Sequence, residues 1–90
     1  MYLGRVIGTV VATRKDEGLV GTKLLITQPV DAEREPIGQP FVAVDTVGAG
    51  AGEIVLYVTG SVAPYAVRRG AVPIDAAIVG IVDRLELSKD

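Results

Sequence analysis

Two stretches are apolar at every position: Ile54-Val55-Leu56-Tyr57-Val58, and Ala76 through Val82. A strand with one wet face alternates polar and apolar residues, so an unbroken apolar strand is read as buried on both faces. That is a severe demand on 90 residues. A chain of this length makes one small domain, here taken as residues 1–90, and buries only about 60% of the surface its unfolded form exposes. Hydrophobic residues nevertheless make up 49% of it, and the mean hydropathy is +0.42. The excess aliphatic surface has to sit against something, and a second copy of the same chain is the simplest candidate.

The remaining segments fit a small β structure. Residues 2–13, 23–31, 41–47 and 53–60 are rich in β-branched residues and are expected to be strands, with a fifth over 76–87. Beyond Val82 the fifth strand alternates, with Leu85 and Leu87 opposite Arg84 and Glu86. Gly4 and Gly8 fall on one face of the first strand, where glycine marks a bend, a bulge or close approach of another backbone. Residues 14–22 read as a polar turn, and 32–40, with two prolines, as a surface hairpin loop. One segment, 61–70, looks helical. Ser61 is placed to be its N-cap, Pro64 lies in its first turn, Arg68 and Arg69 in its last, and Gly70 at its end. A closed five-stranded barrel of the OB or a similar type accommodates this order.

Charge and composition exclude several classes of function. The net charge is −2 and the pI about 5.0, against a nucleic-acid or anionic-membrane partner. Basic residues are scattered, and Tyr2, Tyr57 and Tyr65 do not alternate with them to make a stacking platform. With no cysteine there is no disulfide framework and no thiolate, and with no histidine the commonest base and metal ligand is missing. No cofactor or metal is expected. The first residues lack a basic region, apolar stretch and cleavage site, and no run approaches the ~20 residues of a membrane-spanning helix. A cytosolic setting is the expectation.

The run Asp45-Thr-Val-Gly48-Ala49-Gly50-Ala-Gly52-Glu53 is the one segment that invites a chemical reading. A phosphate-binding loop ends in Gly-Lys-Ser/Thr, and a dinucleotide fingerprint is spaced G-x-G-x-x-G before a helix. This run is spaced G-x-G-x-G, ends in Glu53 without a lysine, and is followed by a strand. It is read as a packing or turn element. Carboxylates at Asp45, Glu53, Asp75 and Asp83 are not spaced to work as a catalytic pair, and are expected to be caps, turn formers or ion-pair partners. Ser61 has no partner base, and Lys23, at a strand start, is expected to be solvated. No catalytic residue is assigned.

Three blocks carry a resemblance over nearly the whole chain: GRVIGTVVATRKDEGLVGTKLLITQPVD, DTVGAGAGEIVLYVTGSVA and PIDAAIVGIVD. In this order they resemble the bacterial microcompartment vertex proteins of the EutN/CcmL type. The resemblance implies a mostly β, five-stranded OB-like barrel with one short helix, assembling as a ring. The ring would be a homopentamer closing the vertices of a polyhedral shell in the bacterial cytoplasm, with hexameric shell proteins as partners. A six-membered ring is left open by the residues. By position, Asp45, Gly48, Ala49, Gly50, Gly52 and Glu53 would lie near subunit contacts or the central axis. Gly60, Ser61, Pro73 and Asp75 would hold the helix and last strand in register at the same interface. The competing readings are an OB-fold module that binds nucleic acid, and an oligomer with ligand or enzymatic sites between subunits.

Overall fold

The computed structural model describes residues 1–67 and 72–88. The strands are β1 (Tyr2–Val10), β2 (Lys23–Pro29), β3 (Phe41–Asp45), β4 (Ile54–Thr59) and β5 (Ala76–Val82). One helix, α1 (Ala63–Val67), follows β4, and short 3-10 turns occupy Glu17–Leu19 and Gly60–Val62. The sheet closes on itself in the order β1-β2-β3-β5-β4, with β4 returning to β1. All neighbours are antiparallel except β3 and β5, which run parallel through only two registered pairs, Val44↔Ala77 and Asp45↔Ile78.

The inside of the barrel is filled by one side chain or two from each strand: Val6, Leu25, Ala43, Val55, Tyr57, Ala76 and Ile78. Thr27 is the one buried polar residue among those described, and its hydroxyl donates to the Leu25 carbonyl. Tyr57 is stacked on Tyr2 with ring centroids 5.4 Å apart, and meets Phe41 at 4.7 Å with the planes tilted by 55°. These are favourable offset geometries for aromatic pairs. Gly4 makes room for this cluster. A Cβ built on it would stand 2.7 Å from the Thr27 methyl and 3.1 Å from the Tyr57 ring.

Three sequence-based expectations are corrected. A bulge in β1 shifts the register against β2 between Val6 and Gly8, so one extra residue reverses the alternation. Gly4 therefore faces the core beside Thr27, whereas Gly8 lies opposite Ile26 on the outer face, and the two glycines do not share a side. The fifth strand stops at Val82, where its last partner on β4 is Ile54, and residues 83–88 join no strand. Ser61 is not a cap. The turn over Gly60–Val62 is preceded by Thr59 as N-cap, with no side-chain cap bond, and Ser61 lies exposed within it. The expected C-terminal half of this helix, Arg68, Arg69 and Gly70, lies outside the described residues.

The two-sided burial of β5 also has a partly local cause. Helix α1 packs on its outer face, where Ala77 is fully buried, so one subunit covers part of that face itself. A considerable apolar surface stays uncovered all the same, including Tyr2, Ile7, Val11, Val47, Val62 and Tyr65.

Two outcomes follow for stability. Gly4→Ala is expected to cost about 1–3 kcal/mol, the usual penalty for overpacking a filled core, read as a lower urea midpoint with unchanged slope. Burial, with a smaller contribution from the neighbouring Tyr2, holds the Tyr57 phenol above its ordinary value near 10.0. Since the folded value is the raised one, this stabilisation is complete below about pH 10 and is lost as pH climbs through the folded value. Urea midpoints measured from about pH 9 to 11 should fall for the wild type and fall less for Tyr57→Phe.

Candidate functional site

The loop between β3 and β4 is organised by two carboxylates of its own. Asp45 closes β3 and turns its side chain into the loop that follows. Its Oδ1 accepts from the backbone N–H of Val47 at 3.0 Å and Gly48 at 3.1 Å, and its Oδ2 accepts from Ala49 N–H at 2.9 Å. The side chain is only 2% exposed. Such successive N–H groups form a concave cradle that binds anions. Here the anion is built into the chain. Farther along, Glu53 Oε1 accepts from Gly50 N–H at 2.6 Å. Gly48 and Gly52 have φ of 81° and 86°, a region where a side chain would be strained, which explains two of the glycines.

Lys23 supplies the matching cation. It is the cross-strand partner of Asp45 in the β2–β3 register. Its Nζ donates to the Ala49 carbonyl at 2.7 Å and lies 3.9 Å from Asp45 Oδ2. The expectation of a solvated lysine is thus corrected: it is half exposed but fastened to the loop. The loop is also sewn to two strands. Gly52 N–H donates to Val6 O at 2.8 Å, Val6 N–H to Glu53 O at 3.0 Å, and both the amide and hydroxyl of Thr46 donate to Ile78 O. Held this way, Ala49 is inserted completely into the core cluster.

The ten residues assigned to an interface or axis divide into two groups. Asp45, Gly48, Ala49, Gly50, Gly52 and Glu53 share the end of the barrel where β3 finishes and β4 begins. Gly60, Ser61, Pro73 and Asp75 lie at the other end, where β4 finishes and β5 begins. There, Gly60 N–H donates to Asp75 O at 2.8 Å, joining the turn before α1 to the entry of β5. Within the first group, the side chains of Ala49 and Asp45 are buried in their own barrel and Gly50 is half-buried, while Gly48, Gly52 and Glu53 are exposed together with the neighbouring Ala51. Of these, Ala51 carried no sequence assignment.

As chemistry, the loop offers little. The N–H groups that would hold a phosphate are engaged by Asp45 and Glu53, so the cradle is filled from within. Among the described residues there is no group of three or more carboxylates able to hold a metal ion, and no buried side-chain polar atom lacks a partner. No described helix is long and apolar enough to cross a membrane.

The comparisons with known proteins agree with this picture. A family model described as "Ethanolamine utilisation protein EutN/carboxysome" matches residues 1–83. The bacterial microcompartment shell vertex protein GrpN of Rhodospirillum rubrum is 54% identical over 96% of this chain and 97% of its own length. The shell vertex protein EutN of Salmonella typhimurium is 45% identical over 94% and 86%, respectively. The carboxysome shell vertex protein CcmL of Gloeobacter violaceus is 41% identical over 97% and 87%. The solved GrpN structure, a pentameric microcompartment shell protein, superposes with a TM-score of 0.87 at 53% identity, covering 98% of this chain and 100% of that one. The chain belongs to the EutN/CcmL family.

Removing the Asp45 carboxylate strips three N–H groups of their acceptor and Lys23 of its counter-charge. Asp45→Ala is expected to destabilise the barrel by about 3 kcal/mol in urea unfolding, with Asp45→Asn, which keeps an acceptor oxygen, losing less.

Proposed function

We propose that this chain is a structural subunit that closes as a ring of five and caps the vertices of a polyhedral bacterial microcompartment in the cytoplasm. One observation carries the proposal: the pentameric shell protein GrpN matches along essentially the whole of both chains. The physical reading is consistent with it. An aliphatic surface too large for one subunit is present, and the backbone donors of the glycine-rich loop are engaged within its own barrel. The reading as an OB-type nucleic-acid or ligand module has no such support, because the relatives are shell vertex proteins and the loop's donors are already used.

The subunit acts by shape. A ring built from one repeated head-to-tail contact closes only when the rotation between neighbours divides a full turn. Five such contacts match a vertex of a shell whose facets are tiled by a different, hexameric protein. The 48–53 loop, with half-buried Gly50 and exposed Gly52 and Glu53, is assigned to the subunit contact or the ring axis, where the glycines let neighbouring backbones approach. No catalytic role is assigned to any residue.

Native mass spectrometry over a range of protein concentrations is the direct test. Five chains is the expected mass. Six would keep the family but remove the vertex role, and a stable monomer would overturn the ring. Gly50→Arg is expected to break the ring without unfolding the barrel, since a Cβ there makes only ordinary contact, at 3.4 Å from Glu53. A five-chain ring that survives this substitution unchanged removes the loop from the contact. Coexpression with a hexameric shell protein should give closed particles in electron micrographs, and open sheets or tubes when this chain is withheld.

A further inference from the structure

Residues 31–35 turn the chain between β2 and β3. Arg34 N–H donates to Asp31 O and Asp31 N–H to Glu35 O, each at 2.9 Å, which is the bonding pattern of a three-residue hairpin loop. The last position of such a loop is left-handed and ordinarily glycine. Here it is Arg34, with φ of 67°, the one non-glycine residue with positive φ among those described; the other such positions are all glycine. The turn is fastened around it. Asp31 Oδ1 accepts from the N–H groups of Glu33 at 2.8 Å and Glu35 at 3.0 Å, and Ile37 N–H donates to Pro29 O at 2.9 Å.

Nothing inside the subunit offsets this strain. The ion pairs among the described residues are Lys23–Asp45 and Arg84–Glu86, so the exposed Arg34 guanidinium is joined neither to Glu33 nor to Glu35 beside it. A local rule broken with no return within the fold points to a contact made outside it. A guanidinium carried on a fixed turn also loses little freedom when it binds.

The natural mate of a guanidinium is a carboxylate, and the chain presents one at the far end of β3. The Arg34 hairpin precedes Phe41, whereas Glu53 lies in the loop that follows Asp45. Glu53 is exposed, its bond from Gly50 N–H engages one carboxylate oxygen of two, and no described cation stands within ion-pair distance of it. Exposed apolar atoms accompany both groups: Ala51 beside Glu53, and Ile37, 51% exposed, three residues after Arg34. A head-to-tail ring requires each subunit to bear two different, mutually complementary patches. The hairpin and the glycine loop are such a pair, opposite in charge and at opposite ends of one strand.

We infer that Arg34 docks on Glu53 of the next copy of this chain in the ring. The inference rests on the ring proposed above and names a contact within it. The occupant of the hairpin is a second copy and no other protein.

A double-mutant cycle tests the pair, with the ring followed by native mass spectrometry on dilution of the full-length protein. Arg34→Gln and Glu53→Gln, the latter keeping an oxygen for Gly50 N–H, should each move ring dissociation to a concentration about tenfold higher, and the double variant no further than either single one. Arg34→Gly should loosen the ring equally, yet raise the urea midpoint of the separated subunit by relieving the turn. A lowered midpoint would mean that Arg34 serves its own barrel, and would overturn the inference. Because the chain contains no cysteine, Arg34→Cys combined with Ala51→Cys should give, under mild oxidation, a ladder of covalent multimers ending at five chains. Each single-cysteine variant can yield at most a dimer. If the wild-type ring is present but the cycle is additive and no ladder forms, the Arg34–Glu53 contact is wrong and the ring stands. If the wild type itself is only monomer, the ring proposal fails, and this contact with it.

Discussion

The barrel depends on one carboxylate. Asp45 ends β3, gathers three consecutive N–H groups and faces Lys23 across the strand pair. Without it the loop that follows would have no reason to turn back over the barrel, and Ala49 would not be driven into the core. The arrangement is economical in residues, because one carboxylate serves three backbone N–H groups and the Lys23 ammonium at once. It settles the glycine question as well. Glycine at 48 and 52 permits the backbone to curl around an internal anion, and no external one is needed.

Much of this was legible in the sequence. The five strands, the single short helix and the closed barrel were all readable from β-branched runs and the resemblance, and β2, β3 and β4 occupy the stretches expected. What failed was local. Gly8 was assigned to the wrong face because a glycine can mark a bulge, as it does here, without showing that an extra residue is inserted, and one extra residue inverts everything after it. Ser61 was a plausible cap by composition, yet the chain enters α1 through a 3-10 turn one residue earlier, and capping preference cannot see that geometry. The tail at 83–87 has strand periodicity, but whether a partner strand exists is a property of the closed sheet.

The candidate site was only partly readable. Its residues were found through the resemblance, while their division between two ends of the barrel depends on strand direction and pairing. The role of Asp45 had a signal that was available. An aspartate followed by small residues and glycine is the pattern of a side chain that bonds the backbone two residues on. Lys23 had none, because its significance rests on standing opposite Asp45, and register across a 22-residue separation is not written in either residue alone.

The parallel seam between β3 and β5, two registered pairs reinforced by Thr46, is the shortest join in the barrel wall. Were it to part, the closed wall would become an open sheet with two raw edges, each a row of unpaired backbone donors and acceptors ready to add a strand from any neighbour. In the ring proposed above, copies of this chain stand side by side, so such an edge would meet its own kind first. The seam therefore governs which kind of polymer the chain can enter. While it is shut, copies have no sheet edge to offer one another; once open, the same chains have a route to an endless fibre.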